Sequence, residues 1–411
     1  KEIADSNAFL RRTIYPARGL MYDRNGELVV FNQPAYDVMM IPRDVENFDT
    51  IAFCRTLNIS VEQLRAYWAD MKDPRKNPGY SSYTPQKLIS HLSQEDYGRL
   101  QEKLYLFPGF FIQKRTIRQY QHNAAANVLG NIREVSASDI ERDSYYRSGD
   151  YTGDLGVEKS YEPYLRGEKG VEILMKDSRG RIKGKFDEGR HDRSPSAGRN
   201  LTLSIDIKLQ EYGERLMQGK KGAIVAIEPA TGEILAMASY PFFDPNRFND
   251  EDAGNYYASL ISEQMNRPLV NRAVNAEYPP ASTFKVIMST AMLQEKAFPS
   301  KKQIECKGYM NYGNRKFRCH LHSGHGWVDM KNGLAESCDV YYWTVGRDYL
   351  GIDKIHYWAD QFGFGQSAQI DLPSQRKGFV PTAEKKERQY HEKWLGGDTM
   401  NLSIGQSYTL V

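Results

Sequence analysis

No run of about 18 or more apolar residues occurs in these 411 residues, so no transmembrane helix is encoded within them. Charge of neither sign prevails: 55 basic residues stand against 52 acidic ones and no long basic block interrupts the chain. Phosphate-driven binding therefore has little electrostatic support, and nucleic acid is set aside as a partner. Cysteine is scarce; four residues are too few to staple a chain of this size. No repeat period is visible. The sequence opens at Lys1 without an initiator methionine, basic n-region or apolar h-region and stops after NLSIGQSYTLV, so both ends are expected to be cut points. What is present is ordinary for a globular chain, 40% hydrophobic and 26% charged, which excludes wholesale disorder and collagen-like or mucin-like classes. The length suits two or three domains.

Near the start, RGLMYDRNGELVVFN carries two β-rich runs around Arg24-Asn25-Gly26, a hairpin signal because Asn and Gly tolerate positive φ. From Ile51 to about Arg115 the pattern is helical, with capping-box-like starts at Ser60-Val61-Glu62-Gln63 and Ser93-Gln94-Glu95-Asp96 around a charged loop from Lys72 to Gly79. VEILMKDSRGRIKG predicts two short strands about a Ser178-Arg179-Gly180 turn. The segment Asp187 to Asn200 has a linker's composition, and a domain boundary is placed there. Beyond it a strand feeds a helix that Asp206 caps, two apolar strands follow in GAIVAIEPATGEILAMAS, and a helix is expected from Thr283 to Phe298, closed by Pro299. The mixture predicts an α/β or α+β catalytic-type domain.

The stretch EYPPASTFKVIMSTAML, Glu277 to Leu293, bears the chemistry. Pro279 and Pro280 cannot extend a preceding helix, so Ser282 stands at a helix start with Phe284, Val286, Ile287, Ala291 and Met292 behind it. Residues three apart share a face, which sets Lys285 beside the Ser282 hydroxyl. Serine is a poor nucleophile until a neighbour takes its proton; lysine can do so once burial disfavours its charge. Helix N-terminal amides would stabilise the oxyanion formed at an attacked carbonyl. The pattern alone is weak, since Ser374-Gln375-Arg376-Lys377 repeats it in a basic loop.

Context strengthens it. S-x-x-K with a downstream S-x-N and a K-T-G marks penicillin-binding proteins and class A β-lactamases. Here AESCDVYYW supplies Ser337-Cys338-Asp339, with Asp in the third place. RGLMYDRNGELVV, GVEKSYEPYLRGEKG, and NLTLSIDIKLQ with GAIVAIEPATGEILAMAS are similar in order to the N-terminal signature, interdomain element and transpeptidase opening of class B penicillin-binding proteins. The Asp resembles the elongation-type subclass, penicillin-binding protein 2. That resemblance implies an N-terminal pedestal or dimerisation-like module over 1–195, with a helical head insertion at about 45–150, and a serine-acyltransferase transpeptidase domain of the penicillin-binding protein/β-lactamase type over 196–411. No K-T-G occurs in these residues, so the transpeptidase domain is expected to be truncated at its C-terminus and inactive as it stands.

The resemblance further implies that Ser282 attacks the carbonyl between the terminal D-alanines of a peptidoglycan stem peptide and leaves an acyl-enzyme, which an amine of a neighbouring stem resolves. Lys285 would accept the serine proton, Ser337 would relay one to the leaving amine, and Asp339 would orient the pair. β-Lactams would acylate the same serine, and no cofactor would take part in catalysis. Implied partners are a membrane glycosyltransferase of the rod-shape type and elongation-complex scaffolds; the implied location is the periplasmic face of the inner membrane, with a single-pass anchor before Lys1. Asp339 raises a tension: a carboxylate near Lys285 favours the charged ammonium, so it either pairs elsewhere or shares the base role.

Cys306, Cys319, His325 and Cys338 form C-x12-C-x5-H-x12-C between the two motifs. Soft thiolates with one imidazole suit tetrahedral zinc, and some elongation-type relatives look similar in holding a structural zinc here. If Ser337 and Asp339 face the active site, an extended backbone turns Cys338 the other way, so a metal would brace the motif. The competing readings are a Cys306–Cys319 disulfide and inert buried thiols, with His320 and His322 as substitute ligands; Cys54 reads as a core residue. Two other functions compete: a non-catalytic β-lactam-binding scaffold that activates a glycosyltransferase, and a hydrolytic relative such as a D,D-carboxypeptidase or β-lactamase.

Overall fold

The long strand Leu28–Met40 organises the first part of the fold. In the computed structural model, which describes residues 9–45, 47–77, 79–176, 182–250 and 252–411, it pairs antiparallel with Phe110–Tyr120 from Val30↔Tyr120 to Met40↔Phe110. Gln86–Leu92 takes its other edge, and Met21–Tyr22 folds back on its start. The expected hairpin turn is closed by the Asp23 carboxylate, which accepts from the N–H groups of Asn25 and Glu27 at 2.8 Å each, with Gly26 at φ +83°.

Helices form at Thr50–Leu57, Val61–Lys72 and Gln94–Lys103, Ser60 completing a capping box with Gln63 and Ser93 accepting from the Asp96 N–H. The helical pattern expected out to Arg115 is corrected at two places: Gln86–Leu92 and Phe110–Tyr120 are strands. Both find their partner in Leu28–Met40, and pairing distant in sequence overrides local periodicity in short apolar runs. Phe53, Leu64, Leu100, Phe107 and Phe110 bury the helices against this sheet, together with Cys54, which is a core residue as expected.

Phe9–Ile14, Gly170–Lys176 and Ile182–Lys185 make a three-stranded antiparallel sheet. The predicted turn at Ser178-Arg179-Gly180 lies outside the described residues. The segment read as a linker is tied down instead: Arg193 bridges Val171, Ser196 bridges Glu168, and the Arg199 N–H donates to the Tyr164 carbonyl at 2.8 Å. Its polar composition satisfies a neighbouring backbone rather than solvent. Leu201–Thr202 then pairs parallel with Met21–Tyr22, Asp206 caps Ile207–Leu216 as predicted, and Gly222–Ile227 pairs antiparallel with Ile234–Tyr240.

By its contacts the chain divides into Lys1–Ala273 with Asp371–Pro373, and Val274–Ile370 with Ser374–Val411. The second unit gathers the helices Lys285–Gln294, Asp339–Val345, Gly351–Gln361 and Gly396–Ser403 round a core containing Phe284, Met288, Met292, Tyr341, Trp343, Ile355 and Met400. Two small antiparallel pairs, Ile304–Cys306 with Gly326–Val328 and Tyr309–Tyr312 with Arg315–Arg318, pack beside them. Among the described residues no helix is long and apolar enough to cross a membrane.

Candidate active site and metal centre

Ser282 lies exposed in a 3₁₀ turn, Ala281–Phe284, that runs directly into the helix Lys285–Gln294. The helix is shorter than the spacing suggested; it stops at Gln294 and Lys296 turns left-handed at φ +49°. What places the serine is a contact the sequence did not disclose. Ala281, itself at φ +49°, donates its N–H to the Gly405 carbonyl at 2.8 Å. A Cβ on Gly405 would stand 2.4 Å from the Ala281 oxygen and 2.7 Å from the Phe284 Cβ. Only glycine at φ +64° lets the GQSY segment approach so closely.

Lys285 is 1% exposed. Its Nζ donates to the Ser337 carbonyl at 2.8 Å, the Ser337 Oγ at 3.1 Å and the Asp339 Oδ1 at 2.6 Å. The ring of Tyr342 lies 5.6 Å from the ammonium, and its hydroxyl shares a 2.6 Å hydrogen bond with Ser289 one turn along the Lys285 helix. The structure thus joins Lys285, Ser337 and Asp339. Ser282 stands one helical turn away, but no hydrogen bond links its hydroxyl to the amine among the described residues, contrary to the expected Ser282–Lys285 contact. The physical reason is donor count: the three N–H groups of the buried amine are taken up by the Ser337 carbonyl, the Ser337 hydroxyl and the Asp339 carboxylate. Among the described residues Asp339 has no other cation in comparable contact; its second oxygen accepts the His320 N–H at 3.2 Å.

Ser337 occupies the left-handed region at φ +51°, so the motif is not extended throughout, as the sequence reading assumed. Cys338 is extended and forms the N-cap of Asp339–Val345. The outcome for its side chain is nonetheless burial away from solvent, at 0% exposure. The ligand atoms of Cys306, Cys319, His325 and Cys338 lie within 4.8 Å of one another, and all four cysteines of the chain are free thiols. The His325 Nδ1 is 3.5 Å from the Cys306 sulfur and 3.7 Å from that of Cys319. A tetrahedral zinc with bonds of about 2.3 Å to sulfur and 2.0–2.1 Å to nitrogen sets S···N edges of roughly 3.5 Å, so these donors fit that ion in type and spacing. The neighbouring Cys338 draws the Cys319 thiol down, while Cys319 and burial push the Cys338 thiol up. His320 keeps its Nδ1 3.9 Å from the Cys319 sulfur and 3.8 Å from Asp339, and His322 is exposed.

Residues 13–203 match the family described as penicillin-binding protein dimerisation domain, and residues 222–411 match the penicillin-binding protein transpeptidase domain. The chain belongs to the penicillin-binding protein family. Among curated relatives it is 35% identical to peptidoglycan D,D-transpeptidase MrdA of Acinetobacter baumannii over 98% of this chain and 59% of the relative, and 32% identical to MrdA of Escherichia coli K12 over 96% and 62%. This penicillin-binding protein chain therefore spans about three fifths of the curated relatives it matches. Of solved structures, the complex of penicillin-binding protein 2 with MreC from Helicobacter pylori matches with TM-score 0.83 at 27% identity, over 98% of this chain and 74% of that one. Pseudomonas aeruginosa penicillin-binding protein 2 in complex with WCK 5153 matches at 0.68 and 26%, over 98% and 68%. The expected mixed α/β fold with an N-terminal dimerisation module agrees with these likenesses. The matched transpeptidase segment begins well before the contact-based division at Ala273/Val274, so strands Gly222–Ile227 and Ile234–Tyr240 belong to that family segment and to the first unit alike.

Proposed function

We propose that the protein is a peptidoglycan D,D-transpeptidase of the elongation type, acting through a serine acyl-enzyme and open to acylation by β-lactams. The observation that carries this reading is the clasp on Lys285: one buried amine held jointly by Ser337 and Asp339, one helical turn from an exposed serine. Ser282 attacks the carbonyl between two D-alanines; its Oγ–C bond forms, the C–N bond breaks, and the last D-alanine departs as an amine that takes up the serine proton. An amine from a second stem peptide then attacks the ester and releases Ser282. Lys285 and Asp339 act as one unit in this scheme: the ammonium hands a proton towards the carboxylate before the amine can receive that of Ser282, and Ser337, bonded to the same amine, relays it to the leaving group.

The thiolate and imidazole cluster supports a structural zinc on Cys306, Cys319, His325 and Cys338, which would supply a cross-link and no chemistry. Cys338 stands between Ser337 and Asp339 in sequence, so the cross-link would hold the two groups that grip Lys285. The reading extends, by the family resemblance, to a periplasmic enzyme tethered to the inner membrane beside a glycosyltransferase and elongation scaffolds; among the solved structures of similar fold, one is a complex with MreC and another belongs to a peptidoglycan synthase complex.

Two measurements test this. Mass spectrometry of the full-length protein after exposure to a labelled penicillin should show one adduct, lost in Ser282→Ala; an adduct that survives the substitution refutes the nucleophile. Metal analysis of the same sample should give about one zinc per chain, and chelation should slow labelling by disordering the 337–339 turn; labelling at full rate without metal refutes the bracing role.

A further inference from the structure

The unit that carries Ser282 also carries a concentrated positive charge that the proposed chemistry leaves unused. Between Lys301 and His322 the sequence has six lysines and arginines, Lys301, Lys302, Lys307, Arg315, Lys316 and Arg318, against the single acid Glu305, in a chain whose net charge is only +3. The hairpin of Tyr309–Tyr312 and Arg315–Arg318 sorts them by face. Side chains alternate along a strand: Phe317 turns inward to stack edge-on with Trp343 at 5.8 Å, and Lys316 and Arg318 turn outward. Directly across from them in register are Asn311 and Tyr309. The Lys316 Nζ lies 3.6 Å from the centre of the Tyr309 ring, which braces the cation without neutralising it. Neither Lys316 nor Arg318 has a carboxylate partner among the described residues, whereas Lys307 is paired with the cluster's single acid, Glu305, at 3.2 Å.

The strand leads straight to the active site. Two residues past Arg318 the His320 N–H is bonded to the Asp339 carboxylate that grips Lys285, and the half-exposed His320 side chain sits 3.8 Å from it. From Lys316 to His320 an extended chain covers about 13 Å, the span of roughly four residues of a bound peptide.

We infer that the outer face of this hairpin, Lys316 and Arg318 with Tyr309 and Asn311 beside them, is a subsite for an acidic peptide: the carboxylate-bearing part of the stem peptide that precedes the D-alanines. The inference rests on the proposed transpeptidase function and extends it to how the substrate is selected. Two cations without a carboxylate partner on this hairpin, open to solvent and continuous with the Asp339 side of the site, complement a chain of carboxylates; a β-lactam brings no such chain. The subsite therefore contributes to cross-linking of the natural substrate and not to acylation by the drug.

The test uses the full-length protein carrying Lys316→Gln and Arg318→Gln, singly and together, beside the charge-conserving Lys316→Arg and Arg318→Lys. Labelling by penicillin should stay within a factor of about two of the parent, while kcat/KM for cross-linking strands bearing acidic stem peptides should fall about tenfold in the double variant, as loss of charge-assisted contacts implies. The charge-conserving variants should retain most of the rate, and added salt should slow the parent more than the double variant. Unchanged cross-linking in the double variant overturns the inference, as does a loss equal for labelling and cross-linking with the metal still bound. Should Arg318→Gln, next to Cys319, shed its metal, Lys316→Gln decides alone, with full cross-linking at low salt as the overturning result. A wild-type protein that penicillin never labels would instead refute the proposed function.

Discussion

Glu214 shows how much one buried group can dictate. It is 5% exposed in the helix Ile207–Leu216, and its Oε1 accepts from the Ala125 N–H and the Gln210 Nε2 at 2.8 Å each, while Oε2 finds no partner among the described residues. Burial raises its carboxyl above the ordinary 4.5, the two hydrogen bonds offsetting only part of the effect. The folded state thus holds the proton more tightly than the unfolded one. Stability is therefore greatest below 4.5 and declines as pH rises from there through the raised value. Glu214→Gln should flatten that decline; thermal melts of both proteins between pH 4 and 7 check it, and parallel curves would refute it. At the same scale Lys285 was legible as to identity, because S-x-x-K preceded an apolar run. Its partner was not, because a residue 54 positions away supplies the carboxylate.

At the scale of the element, the turn that presents Ser282 depends on a glycine 123 positions later. Gly405→Ala should push the backbone away from Ala281, at a cost of about 1–3 kcal/mol where φ is positive and the Cβ meets backbone, and should slow penicillin labelling more than it lowers the melting point. Gly219→Ala is the control: its φ is +73° but nothing lies within 4 Å of the added Cβ, so it should cost about 1 kcal/mol and leave labelling unchanged. Equal labelling in the two variants would refute the positioning role of Gly405. The hairpin at Gly26 and the caps at Ser60, Ser93 and Asp206 were readable because their signals are local. The strands Gln86–Leu92 and Phe110–Tyr120 were not, because their partner is remote.

For the molecule as a whole, distant segments of the first unit are fastened by charge. Glu158, wholly buried, accepts from Arg118 at 2.6 Å and from Arg18 at 2.6 Å, and Arg18 also reaches Glu162. Burial pushes the Glu158 carboxyl up, yet the guanidinium groups of Arg118 and Arg18 together outweigh it and hold the group below its ordinary value. Glu158→Ala leaves the buried Arg118 without a carboxylate and Arg18 with Glu162 alone, and about 3–5 kcal/mol of stability should go with it. Denaturant unfolding measures this directly, and a loss under 1 kcal/mol would show that water replaces the carboxylate. A loop from the far side of the sequence joins the same unit: Asp371 accepts the Tyr161 hydroxyl.

The amino-acid order alone determined the motif residues, the local turns and caps, the mixed α/β class and the donor set of the cysteine cluster, since each is written in neighbouring residues or in residue type. The tertiary structure decided which groups touch. It turned the Lys285 amine to Asp339 rather than to Ser282, drew three cysteines and a histidine from 33 residues of chain to one point, set Gly405 under the serine turn, and bound the presumed linker to its neighbours. Contacts between distant residues depend on how the whole chain buries its apolar surface and pairs its charges, and no short window of sequence contains that information.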